Sequence, residues 1–160
     1  MSELKSELQA IAFKNVDEAL DFAIKSEENA NLFYTEWAKK VGKKSLQGVF
    51  EDLAEEELGH KEFLLRIKKG ETFQSTSRKI TDLKISDYLL DVQAAIDMDY
   101  QDALTLAMHR EKTAFMLYSK LAELSEDKGM KDTFNLLAQQ EAKHKLRLEL
   151  IYDEEILQEN

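Results

Sequence analysis

Glu27, Glu57 and His60 recur as Glu111, Glu141 and His144, each displaced by the same 84 positions. In both sets the second Glu opens an E-x-x-H, with His60 three residues after Glu57 and His144 three after Glu141. Residues three apart on a helix share a face, with Cβ atoms about 5–6 Å apart. One helix can therefore offer a carboxylate oxygen and an imidazole nitrogen to the same cation, while the upstream Glu approaches from a neighbouring helix. Four Glu and two His arranged in this way are the ligand set of a carboxylate-bridged two-metal site inside a four-helix bundle. A pair of redox metals there can act as an electron source and as a clamp on both oxygen atoms of a small oxidant.

These residues need long helices, and the chain is built to form them. It has 160 residues, no proline and only five glycines, so few positions break a helix. Asn15, with Glu18 three residues on, predicts a helix start. The first helix is expected over Val16 to about Val41, stopped by Gly42, and the second over about Ser45 to Lys69, stopped by Gly70. The short link makes the two antiparallel neighbours. Residues 70 to 84 are polar and rich in Ser and Thr, which predicts a loop. Ser86 and Asp87 then open a short apolar piece, Tyr88 to Ile96. A third helix is expected from about Asp99 to Leu124 and a fourth from about Gly129 to Tyr152, leaving DEEILQEN as a frayed tail. The fold class is therefore all-α, an antiparallel four-helix bundle in which residues 70–98 form one long crossover. The whole chain, 1–160, is expected to form one domain.

Residues 19–67 align with 103–151 without a gap, and 16 of 49 positions are identical. The identities, among them Ala23/Ala107, Tyr34/Tyr118, Phe50/Phe134, Leu53/Leu137 and Leu64/Leu148, fall mainly on one helical stripe. The repeat is thus a duplicated hairpin, about 16–69 and 99–152, whose inward face has been retained. Each apolar stripe is interrupted near its middle by one ligand Glu: Glu27 between Ala23 and Ala30, Glu57 after Leu53, Glu111 between Ala107 and Ala114, and Glu141 after Leu137. A single unpaired buried ion costs several kcal/mol. Four would exceed a typical domain stability of about 5–15 kcal/mol. No Lys or Arg is expected in the central stripes at these levels, so two divalent cations would neutralise the four Glu. Without metal, some of these Glu should be protonated and the fold less stable.

The other polar residues read differently. Glu28 faces Lys112 in the alignment and is assigned to the surface. Glu55 and Glu56 align with Gln139 and Gln140, off the stripe. His109 aligns with Lys25 and is assigned as exposed. Tyr34 and Tyr118 lie two turns beyond Glu27 and Glu111 on the same face. They can pack in the core, hydrogen-bond to a ligand carboxylate, or serve as redox-active phenols near the metals. Phe22, Phe33 and Trp37 form a further apolar stripe, facing either the crossover or, the reading preferred here, a second copy in a homodimer.

Composition removes several function classes. With no cysteine there can be no disulfide, thiolate site or iron–sulfur cluster. A formal charge of −10 argues against general nucleic-acid binding. No apolar run is long enough for a membrane span, and the N-terminal stretch lacks a signal-peptide core, so a cytoplasmic protein with no membrane partner is expected.

SEENANLFYTEWAKKVG…FEDLAEEELGH and HREKTAFMLYSKLAE…FNLLAQQEAKH resemble the rubrerythrin family of the ferritin-like superfamily, over roughly residues 15–152. The resemblance implies a ferritin-like bundle holding two iron ions of the Fe-O-Fe type. It also implies Glu27 and Glu111 as terminal ligands, Glu57 and Glu141 as bridging ligands, and His60 and His144 as nitrogen ligands, one on each metal. Two features depart from the family. There is no four-Cys rubredoxin domain, so an external electron donor, such as a rubredoxin-like protein or a flavoprotein, is implied. The extra Glu that rubrerythrins carry three residues after the third-helix ligand is here Ala114, which leaves a symmetric four-Glu, two-His set. The implied activity is reduction of hydrogen peroxide or dioxygen. The alternatives are a ferroxidase or iron-handling protein and a non-catalytic bundle. The donor types equally suit manganese or zinc.

Overall fold

The computed structural model describes residues 11–13, 15–69, 80–83 and 92–157. Its elements, in chain order, are β1 (Ile11–Phe13), α1 (Val16–Lys40), α2 (Lys44–Lys68), β2 (Ile80–Leu83), α3 (Val92–Asp97), α4 (Tyr100–Leu124) and α5 (Lys128–Tyr152), with a π-helical turn over Asp153–Leu157. The four long helices have 25 residues each. That is about 37 Å of helix apiece. The bounds of α4 and α5 are those of α1 and α2 moved by the same 84 positions as the ligands, so the duplication extends to the helix ends.

The helix starts have local causes. Asn15 Oδ1 accepts from the Glu18 N–H at 2.9 Å, Asp99 Oδ1 from Asp102 N–H at 2.9 Å, and Asp127 Oδ2 from Met130 N–H at 2.9 Å. The end of α1 differs from expectation. Val41 leaves the helix in extended geometry, with its N–H bonded to the Trp37 carbonyl, and among the described residues no glycine has a positive φ. Gly42 therefore follows the stop and does not supply a left-handed cap. Gly70 lies outside the described residues, as does most of the 70–98 crossover. The described part of the crossover contains β2, which pairs antiparallel with β1, a ribbon the loop reading did not anticipate. Asp153–Leu157 is a π-helical turn, not a frayed tail. Glu155 pairs with Lys43 at 3.0 Å and Ile156 packs on the core.

Packing is closest within each hairpin, α1 with α2 and α4 with α5. The apolar interior falls into two clusters. Leu20, Leu64, Leu117, Tyr118, Leu121 and Phe134 belong to one. Phe33, Tyr34, Trp37, Phe50, Leu53 and Leu104 belong to the other. The carboxylates, histidines and arginine described next belong to neither. Trp37 and Phe33 are buried within this chain. The Trp37 indole N–H donates to the Ala95 carbonyl of α3 at 3.1 Å, and its ring lies 5.6 Å from that of Tyr100. Trp37 thus packs on the crossover, one of the two readings of this stripe, while Phe33 is buried within the chain and Phe22 is partly buried against the core. Among the described residues no helix is long and apolar enough to cross a membrane.

Candidate metal centre

The six predicted ligands are brought together and buried. Glu27, Glu57, Glu111 and Glu141 have no solvent exposure, and His60 and His144 have almost none. They form two overlapping groups, Glu27–Glu57–His60–Glu141 and Glu57–Glu111–Glu141–His144, with the donor atoms of each group within 4.8 Å of one another. Glu57 and Glu141 belong to both groups. Glu27 belongs only to the His60 side and Glu111 only to the His144 side. His60 Nδ1 lies 3.1 Å from Glu27 Oε2, 3.4 Å from Glu57 Oε1 and 3.0 Å from Glu141 Oε1. His144 Nδ1 lies 3.2 Å from Glu57 Oε1 and 3.6 Å from both Glu111 Oε2 and Glu141 Oε1. The two rings stack, with centroids 6.0 Å apart.

Both rings are held from behind by a residue of the opposite hairpin. His60 Nε2 lies 2.6 Å from Gln140 Oε1, and His144 Nε2 lies 2.9 Å from Glu56 Oε2. Each contact fixes the ring so that Nδ1 faces the carboxylates. Glu56 and Gln140 occupy equivalent positions of the repeat, one residue before Glu57 and Glu141. The sequence reading set them aside as off-stripe because it followed each helix separately. Their recurrence beside the ligands was the available signal. Tyr34 and Tyr118 make the corresponding exchange at the terminal carboxylates. Tyr34 Oη donates to Glu111 Oε1 at 2.6 Å, and Tyr118 Oη donates to Glu27 Oε1 at 3.0 Å. Of the lesser residues, Glu28 forms surface ion pairs with Lys25 and Lys61, both at 3.1 Å. His109 is half-buried, not exposed, and lies outside the two groups.

One residue contradicts the sequence reading outright. Arg110 is buried, and its guanidinium reaches all four carboxylates. Nη1 donates to Glu57, to Glu141 Oε2 at 2.7 Å and to Glu111 Oε1 at 3.3 Å. Nη2 donates to Glu27 Oε1, and Nε to Ser26 Oγ at 3.2 Å. The central layer thus does contain a cation. Arg110 was overlooked because it lies one position before Glu111, on an inward row of α4 that shares Ala107 and Ala114 with the ligand stripe: Ala103, Ala107, Arg110, Ala114, Leu117 and Leu121, all buried. The 3- and 4-residue steps of that row were the signal for it. In the other repeat the same row carries Ser26.

The electrostatics follow from burial and crowding. Burial pushes the Glu27 carboxyl up, against the pull of Arg110. Burial and the surrounding Glu111, Glu27 and Glu57 raise Glu141 well above the usual carboxylate range. Burial also acts to raise Glu57, but Arg110 and the two histidines outweigh it and hold Glu57 well below that range. Burial would lower both imidazoles, yet the neighbouring carboxylates prevail. His60 is raised strongly, and His144, beside Glu111 and Glu57, is pushed up to about 11. The phenols of Tyr34 and Tyr118 are raised well above normal by burial and nearby carboxylates, so both remain protonated donors.

Metal ions suit this donor set. Glu57 Oε1, Glu111 Oε2, Glu141 Oε1 and His144 Nδ1 are buried without a hydrogen-bond partner, a costly condition that coordination would relieve. Carboxylate oxygens and imidazole nitrogens with no thiolate are ligands that iron, manganese and zinc accept. The sequence model of the rubrerythrin family matches residues 18–152. The chain belongs to the rubrerythrin family. No curated protein matches it. Among solved structures, this rubrerythrin-family chain is similar to a Thermotoga maritima protein provisionally described as a ferritin-like diiron-carboxylate protein. The identity is 20% and the TM-score 0.76, with 89% of this chain and 95% of that one covered. It is also similar to a hypothetical protein from Pyrococcus furiosus at 27% identity and a TM-score of 0.66, covering 86% of this chain and 88% of the other. The four-helix bundle expected from the helix order, and the ferritin-like fold implied by the resemblance, are therefore the fold observed.

Proposed function

We propose that the chain is a non-haem diiron oxidoreductase that reduces hydrogen peroxide or dioxygen with electrons from an external donor. The observation that carries this reading is the sharing of Glu57 and Glu141 between two ligand groups, each completed by its own Glu and His. Two ferrous ions held there would supply the two electrons needed to cleave an oxygen–oxygen bond. Glu57 and Glu141 would bridge, Glu27 and Glu111 would bind one ion each, and His60 and His144 would bind through Nδ1. Glu56 and Gln140 orient the imidazoles. The Tyr34 and Tyr118 hydroxyls hold protons against the terminal carboxylates Glu111 and Glu27. The apolar layers above and below limit water entry. Ala114 offers no side-chain oxygen, so reactivity must be achieved with these six ligands alone.

Stopped-flow absorbance of the ferrous-loaded protein, mixed in parallel with hydrogen peroxide and with dioxygen, tests the reading. Faster oxidation by peroxide is expected of a peroxide reductase. Faster oxidation by dioxygen would move the assignment to an oxidase or ferroxidase. Normal iron binding and oxidation by Glu57→Ala and Glu141→Ala variants would refute the site itself.

A further inference from the structure

We infer that the two metal positions are unequal and fill in order, the His144 side first, because Arg110 competes with the second ion for Glu27. This inference rests on the two-metal reading above. The six ligands are related by the repeat, but Arg110 is not, since its counterpart is Ser26. The single guanidinium touches both halves unequally, because Nη2 lies closer to Glu27 than Nη1, at 3.3 Å, lies to Glu111. Glu57 Oε1 and Glu141 Oε1, shared by the two sides, have no hydrogen-bond partner, and on the His144 side the same holds for its own two ligands, Glu111 Oε2 and His144 Nδ1. On the His60 side Glu27 is fully engaged. Its Oε1 accepts from Arg110 Nη2 and from Tyr118 Oη, and its Oε2 lies 3.1 Å from His60 Nδ1.

Charge points the same way. With the imidazoles neutral and every carboxylate ionised, four carboxylates with one guanidinium and one divalent ion leave a net charge of −1. A second divalent ion makes it +1 unless the guanidinium moves away. Arginine cannot relieve the conflict by losing a proton. Of the two terminal carboxylates, Glu111 holds Arg110 only through a 3.3 Å contact and keeps Oε2 unbonded, so the first ion binds there, whereas the second must displace the closer Arg110 contact to Glu27. Arg110 is a positioning residue that sets the order and spacing of the two binding steps.

Titration of the metal-depleted full-length protein with Co²⁺, followed by visible absorbance and calorimetry, reads the two steps without turnover. Two steps are expected, the second weaker by roughly tenfold or more. His144→Ala should abolish the tight step, while His60→Ala should retain it. Arg110→Gln should tighten the second step and narrow the gap, and Arg110→Lys, which keeps the charge, should preserve it. Circular dichroism confirms that each variant is folded, and if Arg110→Gln does not fold the two histidine variants still decide the order. Two equal steps in the parent protein, loss of the tight step in His60→Ala, or an unchanged gap in Arg110→Gln would overturn the inference while leaving the two-metal reading intact. Absence of any Co²⁺ binding would overturn both.

Discussion

Arg110, with 6% of its surface exposed among four carboxylates with none, has the environment in which a guanidinium is most effective, since its planar fork can serve several acceptors together. The same crowding determines the protons. His144 is pushed up to about 11, His60 is raised strongly, and Glu27 and Glu141 are raised by burial. His60 and His144 therefore hold protons at neutral pH when no metal competes, and the upward shifts of Glu27 and Glu141 favour their protonated forms. Metal must expel those protons to bind, so affinity should strengthen as pH rises and weaken as it falls from about pH 8 to about 6. Calorimetry in buffers of differing ionisation enthalpy should register net proton release, and a pH-independent affinity would contradict this account.

At the level of elements, the described crossover helix α3 is tied to α1 by Trp37, through the indole N–H to Ala95 and the ring against Tyr100. Six residues are too few for a helix to be stable alone. Trp37→Phe, which keeps an aromatic ring but loses the donor, should cost about 1 kcal/mol. Hydrogen exchange should rise first over residues 92–97 while the four long helices remain protected. Equal loss of protection across all helices would show that Trp37 supports the core generally and not the crossover in particular. Three of the four long helices have side-chain caps, Asn15, Asp99 and Asp127, and of these Asn15 was legible as a start signal in the sequence, whereas α2 follows Lys43 with no side-chain cap.

The whole molecule surrounds a charged layer with two apolar ones, an arrangement that favours binding of cations to the folded state. A ligand at about 100 times its dissociation constant stabilises the fold by about 2.7 kcal/mol. For a chain of this size that corresponds to a rise of roughly 5–10 °C in the thermal midpoint. Scanning the protein before and after chelation, then with iron, manganese and zinc restored separately, should show this rise, with the largest rise identifying the preferred metal. An unchanged midpoint with all three would argue against a metal-binding core.

Sequence alone determined the helical bundle, the duplicated hairpins and the six residues that meet in the middle. Each of these is carried by periodicity along one helix or by recurrence at one offset, which are properties of a linear chain. Tertiary structure decided what depends on distance between helices. Arg110 reaches Glu27 and Glu57 in the other hairpin, Glu56 and Gln140 each reach a histidine across the bundle, and the two tyrosines exchange partners between α1 and α4. Ser26 and Arg110 occupy equivalent positions in the repeat. Only the fold reveals that one position of a symmetric pair holds the cation that makes the two halves of the site unlike, because a long side chain acts where it ends and not where its Cα lies.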